Sequence, residues 1–140
     1  MKSKTLLVKN QMVELNRVVD FLDELGEEWE LPVPLVFSLN LVLEEALTNI
    51  ILYGFEDQNG HTIEIDFKKD KNQLYITFID DGMAYDPTTK EDPDISLSTE
   101  DRPIGGLGIF LIKKIMDQVE YQRKENRNFL MLTKNIKVWT

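Results

Sequence analysis

The sequence predicts an α/β (α+β) two-layer sandwich, with helices on one face of a mixed, mostly antiparallel sheet, in a single domain spanning 1–140. Two patterns carry this expectation. Apolar residues recur at helical spacing in three segments, and they alternate with polar residues in others that come as adjacent pairs joined by short turns. The resulting order, β-α-α-β-β-loop-α-β-β, pairs neighbouring strands in antiparallel fashion and leaves the helices to cover the sheet.

Taken in order, "KTLLVK" (4–9) reads as a short strand. Asn10 is placed to cap a helix with Met12, Leu15, Val19, Leu22 and Leu25 on one face, and Gly26 is expected to end it. "WELPVP" is a connection, since two prolines so close break both helix and sheet. Pro34 suits the first turn of a second helix that reaches about Tyr53. Ile63, Ile65 and Phe67 mark one strand and Leu74, Ile76 and Phe78 the next, with "KDKN" as the turn between them. "LGIFLIKKIMDQ" (107–118) predicts a third helix, and "VEYQRK" with "NFLMLTKNI" a second hairpin around "ENRN". Between Ile79 and the third helix lies a long stretch rich in Asp, Pro, Ser and Thr. A loop of that length in a small domain is characteristically functional or disordered, and the glycines bracketing it favour a lid over about 81–104.

Composition narrows the function classes. The 140 residues include no cysteine and a single histidine, His61, which excludes disulfide frameworks, thiolate zinc sites and multi-histidine metal centres. A formal net charge of −9 argues against direct binding to nucleic acid, whose phosphates repel an acidic surface. "MKSKTLLVKN" holds too short an apolar run for a signal peptide, and no stretch is expected to enter a membrane. A soluble, cytoplasmic protein is the expectation.

Three constellations carry chemistry. In "EEALTNIILYGF", Glu45 and Asn49 stand four residues apart on one helical face, where a carboxylate and an amide oxygen could serve as base and hard-cation ligand. In "IDDGMAYDP", a strand ends in Asp80, Asp81 and Gly82. A carboxylate there can accept a hydrogen bond from an exocyclic amine beside a glycine that lets a ring approach. In "RPIGGLGIFLIKK", Gly105, Gly106 and Gly108 lead into a helix, offering backbone N–H groups to phosphates. Singly, these also read as a solvated stripe, a turn and a hinge. Their order and spacing are more specific.

That order resembles the ATPase superfamily that groups DNA gyrase, heat-shock chaperone ATPases, histidine kinases and MutL. "LEEALTNIILYGF", "DDGMAYDP" and "RPIGGLGIFLIKKIMDQVEY" resemble in particular the anti-sigma factor serine/threonine kinase family. The resemblance implies a Bergerat, histidine-kinase-like ATPase fold and assigns roles. Asn49 would coordinate Mg²⁺ on the phosphates of ATP, and Glu45 would be the general base. Asp80 would accept the adenine amine, with Gly82 leaving room for the ring. Gly105, Gly106, Leu107 and Gly108 would hold the phosphates, and Arg102 would add a γ-phosphate contact.

The partners it implies are an anti-sigma antagonist with a STAS domain, a sigma factor, and a second copy in a homodimer. An exposed apolar surface on the first helix or the sheet would be the place for that dimer. Ala84 and Tyr53 stand where relatives carry glycine and histidine, and Leu130 aligns with a late-strand threonine that supports the adenine site. These departures favour, as the alternative, a nucleotide-gated protein-binding module with little or no kinase activity.

Overall fold

A computed structural model describes residues 1–57, 59–89 and 106–137. Arg102, Gly105 and the lid beyond Thr89 therefore lie outside the described residues. The elements are β1 (Lys2–Lys9), α1 (Leu15–Glu28), α2 (Val33–Tyr53), β2 (Thr62–Lys69), β3 (Gln73–Asp80), α3 (Gly106–Ile115), β4 (Gln118–Lys124) and β5 (Arg127–Asn135), with short 3-10 turns at Met12–Glu14 and Pro87–Thr89.

The five strands form one sheet in the order β1-β2-β3-β5-β4. Every neighbouring pair among the described residues is antiparallel, so the sheet lacks the parallel pairing that a mixed one would contain. The hairpins set the register. Asp70 accepts the N–H groups of Asn72 and Gln73 at 2.9 and 2.8 Å in the first turn. Glu125 and Asn126 adopt φ of 52° and 63° in the second, the left-handed pair that matches the twist of a two-residue hairpin. Alternation then sends Ile63, Ile65, Phe67, Leu74, Ile76, Phe78, Leu130 and Leu132 into the core.

The helices bury Val18, Leu22 and Leu25 of α1, Leu35, Leu39, Val42, Leu43, Ala46 and Leu47 of α2, and Ile109 and Ile112 of α3 against that sheet face. At about 25 cal/mol per Å² of apolar surface, removal of these side chains from water is the main stabilising term.

The structure corrects the first helix. Asn10 does not cap it; its Oδ1 accepts the His61 N–H at 2.9 Å and ties β1 to the start of β2. A 3-10 turn intervenes, so the buried face runs through Val18, while Met12 and Val19 are exposed. Gly26 lies inside the helix, where a Cβ would stand 2.8 Å from Val36 Cγ2. Its role is the close crossing of α1 and α2, and the chain reverses later, at Glu30, with φ 55°.

Against the expectation for membranes, α2 is long and apolar enough by length and composition to cross one, with 21 residues and a mean hydropathy of 1.6. A helix apolar nearly all round suits either a span or a core. Here one side of α2 packs on the sheet and its flanks on α1 and α3.

Candidate nucleotide site

Helix α2 presents Glu45 and Asn49 one turn apart, beside the first turn of α3. Asn49 Nδ2 donates to the Glu45 backbone carbonyl at 3.2 Å, which fixes the amide and leaves its Oδ1 without a hydrogen bond among the described residues. A Cβ at Gly108 would lie 2.7 Å from Glu45 Oε2 and 3.2 Å from Asn49 Nδ2. Glycine there is what lets α3 close on these two side chains. Partial burial, and secondarily the charge of Glu44, hold the Glu45 carboxyl above its usual range, which strengthens it as a base.

Asp80, the last residue of β3, is 5% exposed. Its Oδ1 accepts the Gly82 N–H at 2.9 Å and Asn128 Nδ2 at 3.0 Å. Burial, the largest influence, raises its carboxyl above the usual range; the Asn128 and Gly82 donors oppose that, and Asp81 adds to it. Asn128 also donates to the Met83 carbonyl at 2.7 Å and accepts from the Tyr121 hydroxyl and, at 3.1 Å, from Arg123 Nη1. The Gly82 carbonyl takes a second Arg123 bond, at 2.8 Å. At Gly82, the space a Cβ would take is filled by the Gly54 carbonyl oxygen, 2.1 Å away. The missing side chain thus admits the end of α2, which also accepts the Met83 N–H at 2.8 Å.

Asn49 and Asp80 line one cavity of about 30 Å³, with Met83, Pro87, Ile109 and Asn128 among its other walls. That is room for roughly two water molecules. The segment from Met83 to Pro87 forms one wall, and Lys113 of α3 holds it by donating to the Thr88 carbonyl at 3.1 Å.

Of the residues singled out from sequence, Asn49 and Asp80 line this cavity, Glu45 and Gly108 stand against Asn49, and Gly82 against Asp80. Gly106 and Leu107 form the first turn of α3. Sequence reasoning missed Asn128. Leu130, which aligned with the supporting threonine, is an apolar wall of the cavity and shares its inward face with Asn128. The polar support of Asp80 comes from Asn128, its partner in the β3–β5 register. A polar residue at an inward position of an alternating strand was the available signal.

The donor set suits both a divalent metal ion and a nucleotide. Asn49 Oδ1 and the Glu45 carboxylate are hard oxygen donors of the kind Mg²⁺ takes. Asp80 lines the cavity, and its Oδ2, with no hydrogen bond among the described residues, is an open acceptor.

Comparison with known proteins identifies the family. Residues 8–134 match the histidine kinase-like ATPase domain. Over 97 residues the chain is 33% identical to the serine/threonine-protein kinase BtrW of Bordetella bronchiseptica, covering 69% of this chain and 68% of that one. Over 98 residues it is 34% identical to the serine-protein kinase RsbW of Bacillus cereus, covering 67% of this chain and 61% of the relative. The match thus spans less than two thirds of the RsbW chain. Among solved structures, the histidine kinase domain of the Erythrobacter litoralis EL346 blue-light activated histidine kinase superposes with a TM-score of 0.56 at 15% identity, over 89% of this chain and 60% of that one; this likeness speaks to the fold. The resemblance to the anti-sigma factor kinases is borne out by these relatives, and the chain belongs to the histidine kinase-like ATPase domain family.

Proposed function

We propose that this protein is an anti-sigma factor type serine/threonine protein kinase, which binds Mg-ATP and phosphorylates a hydroxyl of a small STAS-domain antagonist, and which holds a sigma factor when not so engaged. One observation carries the reading. Three stretches far apart in sequence meet: Glu45 and Asn49 of one lie against Gly108 of another, and Asn49 lines the same cavity as Asp80 of the third. A base-recognising acceptor and a phosphate-end pair are what a nucleoside triphosphate requires at its two ends. The names of BtrW and RsbW support the kinase assignment.

In this reading Asp80 Oδ2 accepts the exocyclic amine of adenine, and the Tyr85–Pro87 part of the wall moves outward to admit the base while Met83 stays bonded to Asn128 and Gly54. Asn49 Oδ1 would hold Mg²⁺, which supplies neutralisation of the phosphate charge when bound. The α3 N-terminus, beginning at Gly106, directs backbone N–H groups toward the phosphates. Glu45 takes the proton from the attacking hydroxyl, and its raised basicity suits that task. Phosphoryl transfer asks mainly for positioning and charge stabilisation, so few further groups are needed.

The test is Glu45→Gln in a phosphotransfer assay with STAS-domain substrates. The rate is expected to fall by about 10²–10⁴-fold, the usual contribution of a general base, with ATP binding retained. An unchanged rate would remove Glu45 from the chemistry. Binding of ATP and a partner without any transfer by the wild type would favour the nucleotide-gated binding module.

A further inference from the structure

Asp80 and Asn128 are the buried polar side chains of the described structure, 5% and 6% exposed. Polar groups survive such burial only when their hydrogen bonds are made, and here the pattern of bonds has a consequence for recognition. Both N–H bonds of the Asn128 amide are committed, one to Asp80 Oδ1 at 3.0 Å and one to the Met83 carbonyl at 2.7 Å. Its Oδ1 is committed as well, to the Tyr121 hydroxyl and to Arg123 Nη1 at 3.1 Å. A guanidinium cannot accept and a backbone carbonyl cannot donate. A flipped amide would therefore set donor against donor at Arg123 and acceptor against acceptor at Met83, so the amide has one orientation.

That orientation decides which oxygen Asp80, a lining residue of the cavity, leaves open. Oδ1 receives the Asn128 and Gly82 donors, and its two lone-pair directions are used. Oδ2 remains, and two donors on its sister oxygen favour an ionised, accepting carboxylate over a protonated, donating one. We propose that Asn128, locked by Arg123 and the Met83 carbonyl, is the specificity-determining residue that keeps Asp80 an acceptor toward the base, so that the site takes 6-amino purine nucleotides and refuses 6-oxo ones. The inference rests on the nucleotide-binding reading above. It assigns the choice of base to a strand residue outside the three sequence constellations.

The chemistry follows from polarity. A 6-amino group donates to Oδ2, whereas a 6-oxo group brings an acceptor against an acceptor in a site with little water to relieve the mismatch. Without Asn128, burial and the neighbouring Asp81 act on Asp80 with only the Gly82 donor against them at Oδ1. The carboxyl then holds a proton more readily, and a protonated Oδ2 donates to a 6-oxo group.

The experiment is equilibrium binding of ATP and of inosine triphosphate, with Mg²⁺, to the wild type, Asn128→Leu and Arg123→Met. The wild type should prefer ATP by about tenfold or more, the scale set by one mismatched hydrogen bond. Asn128→Leu should bring that ratio below about threefold, chiefly by weakening ATP. Arg123→Met, at an exposed position, tests the lock should Asn128→Leu fail to fold, and it should lower the ratio by about twofold or more.

Equal weakening of both nucleotides, with the ratio unchanged in the variants that fold, would show that Asn128 only packs and would overturn the proposal. A wild type that binds both nucleotides equally would overturn it while leaving the nucleotide site in place. A wild type that binds neither would overturn the nucleotide reading and this proposal with it.

Discussion

The two sides of the candidate site are built by opposite means. Asp80 sits at the end of a strand between two paired neighbours, and its carboxyl, Asn128, Tyr121 and Arg123 form a closed set of hydrogen bonds across three strands. Glu45 and Asn49 ride on a half-buried helix face, with one hydrogen bond, from Asn49 back to its own helix, between them. In the proposed reading, a base is read by a fixed acceptor, and a sheet over-determines one. A proton acceptor and a cation ligand must instead be free to meet incoming groups, and a helix face leaves them so.

The glycines of the two sides sharpen this contrast. Gly82→Ala would drive a Cβ into a backbone carbonyl, Gly54 O, at 2.1 Å, which cannot give way locally. Gly108→Ala would meet the tip of the Glu45 side chain, at 2.7 Å, which can rotate aside. Denaturant unfolding should show a loss of about 2–3 kcal/mol for Gly82→Ala, the range of overpacking in a rigid site. Gly108→Ala should lose less than about 1 kcal/mol yet displace the Glu45 carboxylate. Equal losses would mean that the two sides are equally rigid and would break the comparison.

Asp80→Asn gives a smaller effect of opposite sign. Because burial raises the Asp80 carboxyl in the folded state, its contribution to stability is fully present below the unfolded pKa of about 3.9 and is lost as pH rises through the higher folded value. A neutral carboxamide that keeps an oxygen toward Asn128 and Gly82 escapes that loss. Melting curves should therefore show Asp80→Asn gaining on the wild type as pH rises from 4 to 7, while its response to ATP disappears. A variant that melts lower at pH 7 and no lower at pH 4 would reverse the assigned sign.

How much of this was legible in the sequence differs between the same two sides. Glu45 and Asn49 were visible because helical spacing alone puts residues four apart on one face. Asp80 was visible as a carboxylate at a strand end. Asn128 was not, because its meaning depends on the β3–β5 register, a pairing between residues 48 apart in sequence. α2, β2 and β3 were read to within a few residues, since alternation and the opening proline fix them locally. The face of α1 was read correctly at Leu15, Leu22 and Leu25 but not at Met12 and Val19, because Met12 belongs to a 3-10 turn and Val18, not Val19, turns inward. Gly26 was read as a stop when it is a crossing point, a distinction that depends on Val36 of another helix.

The smallest expected effect lies outside the cavity. His61 stacks on Phe55 with ring centroids 4.5 Å apart and reaches Asp57 with Nε2 at 2.7 Å and Asp81 with Nδ1 at 3.1 Å. The hydrogen bond to Asp57, foremost among the causes, raises its pKa. The clasp between the end of α2 and the end of β3 should thus be at full strength below about pH 6.5 and fade as pH rises through the raised folded value. Wild type and His61→Gln should differ in melting temperature at pH 5.5 and converge at pH 9. A difference independent of pH would show that stacking, and not charge, holds the ring.

The central claim is that Asn49 and Asp80 grip the two ends of one nucleotide. Thermal unfolding of the wild type and Asn49→Ala, with and without Mg-ATP, tests it most directly. Ligand at 100 times its dissociation constant stabilises by about 2.7 kcal/mol, which in a domain of this size raises the melting temperature by on the order of 5–10 °C. The account predicts a rise of that order in the wild type that requires Mg²⁺ and is absent in Asn49→Ala. No rise at millimolar Mg-ATP, or the same rise in both proteins, would contradict it.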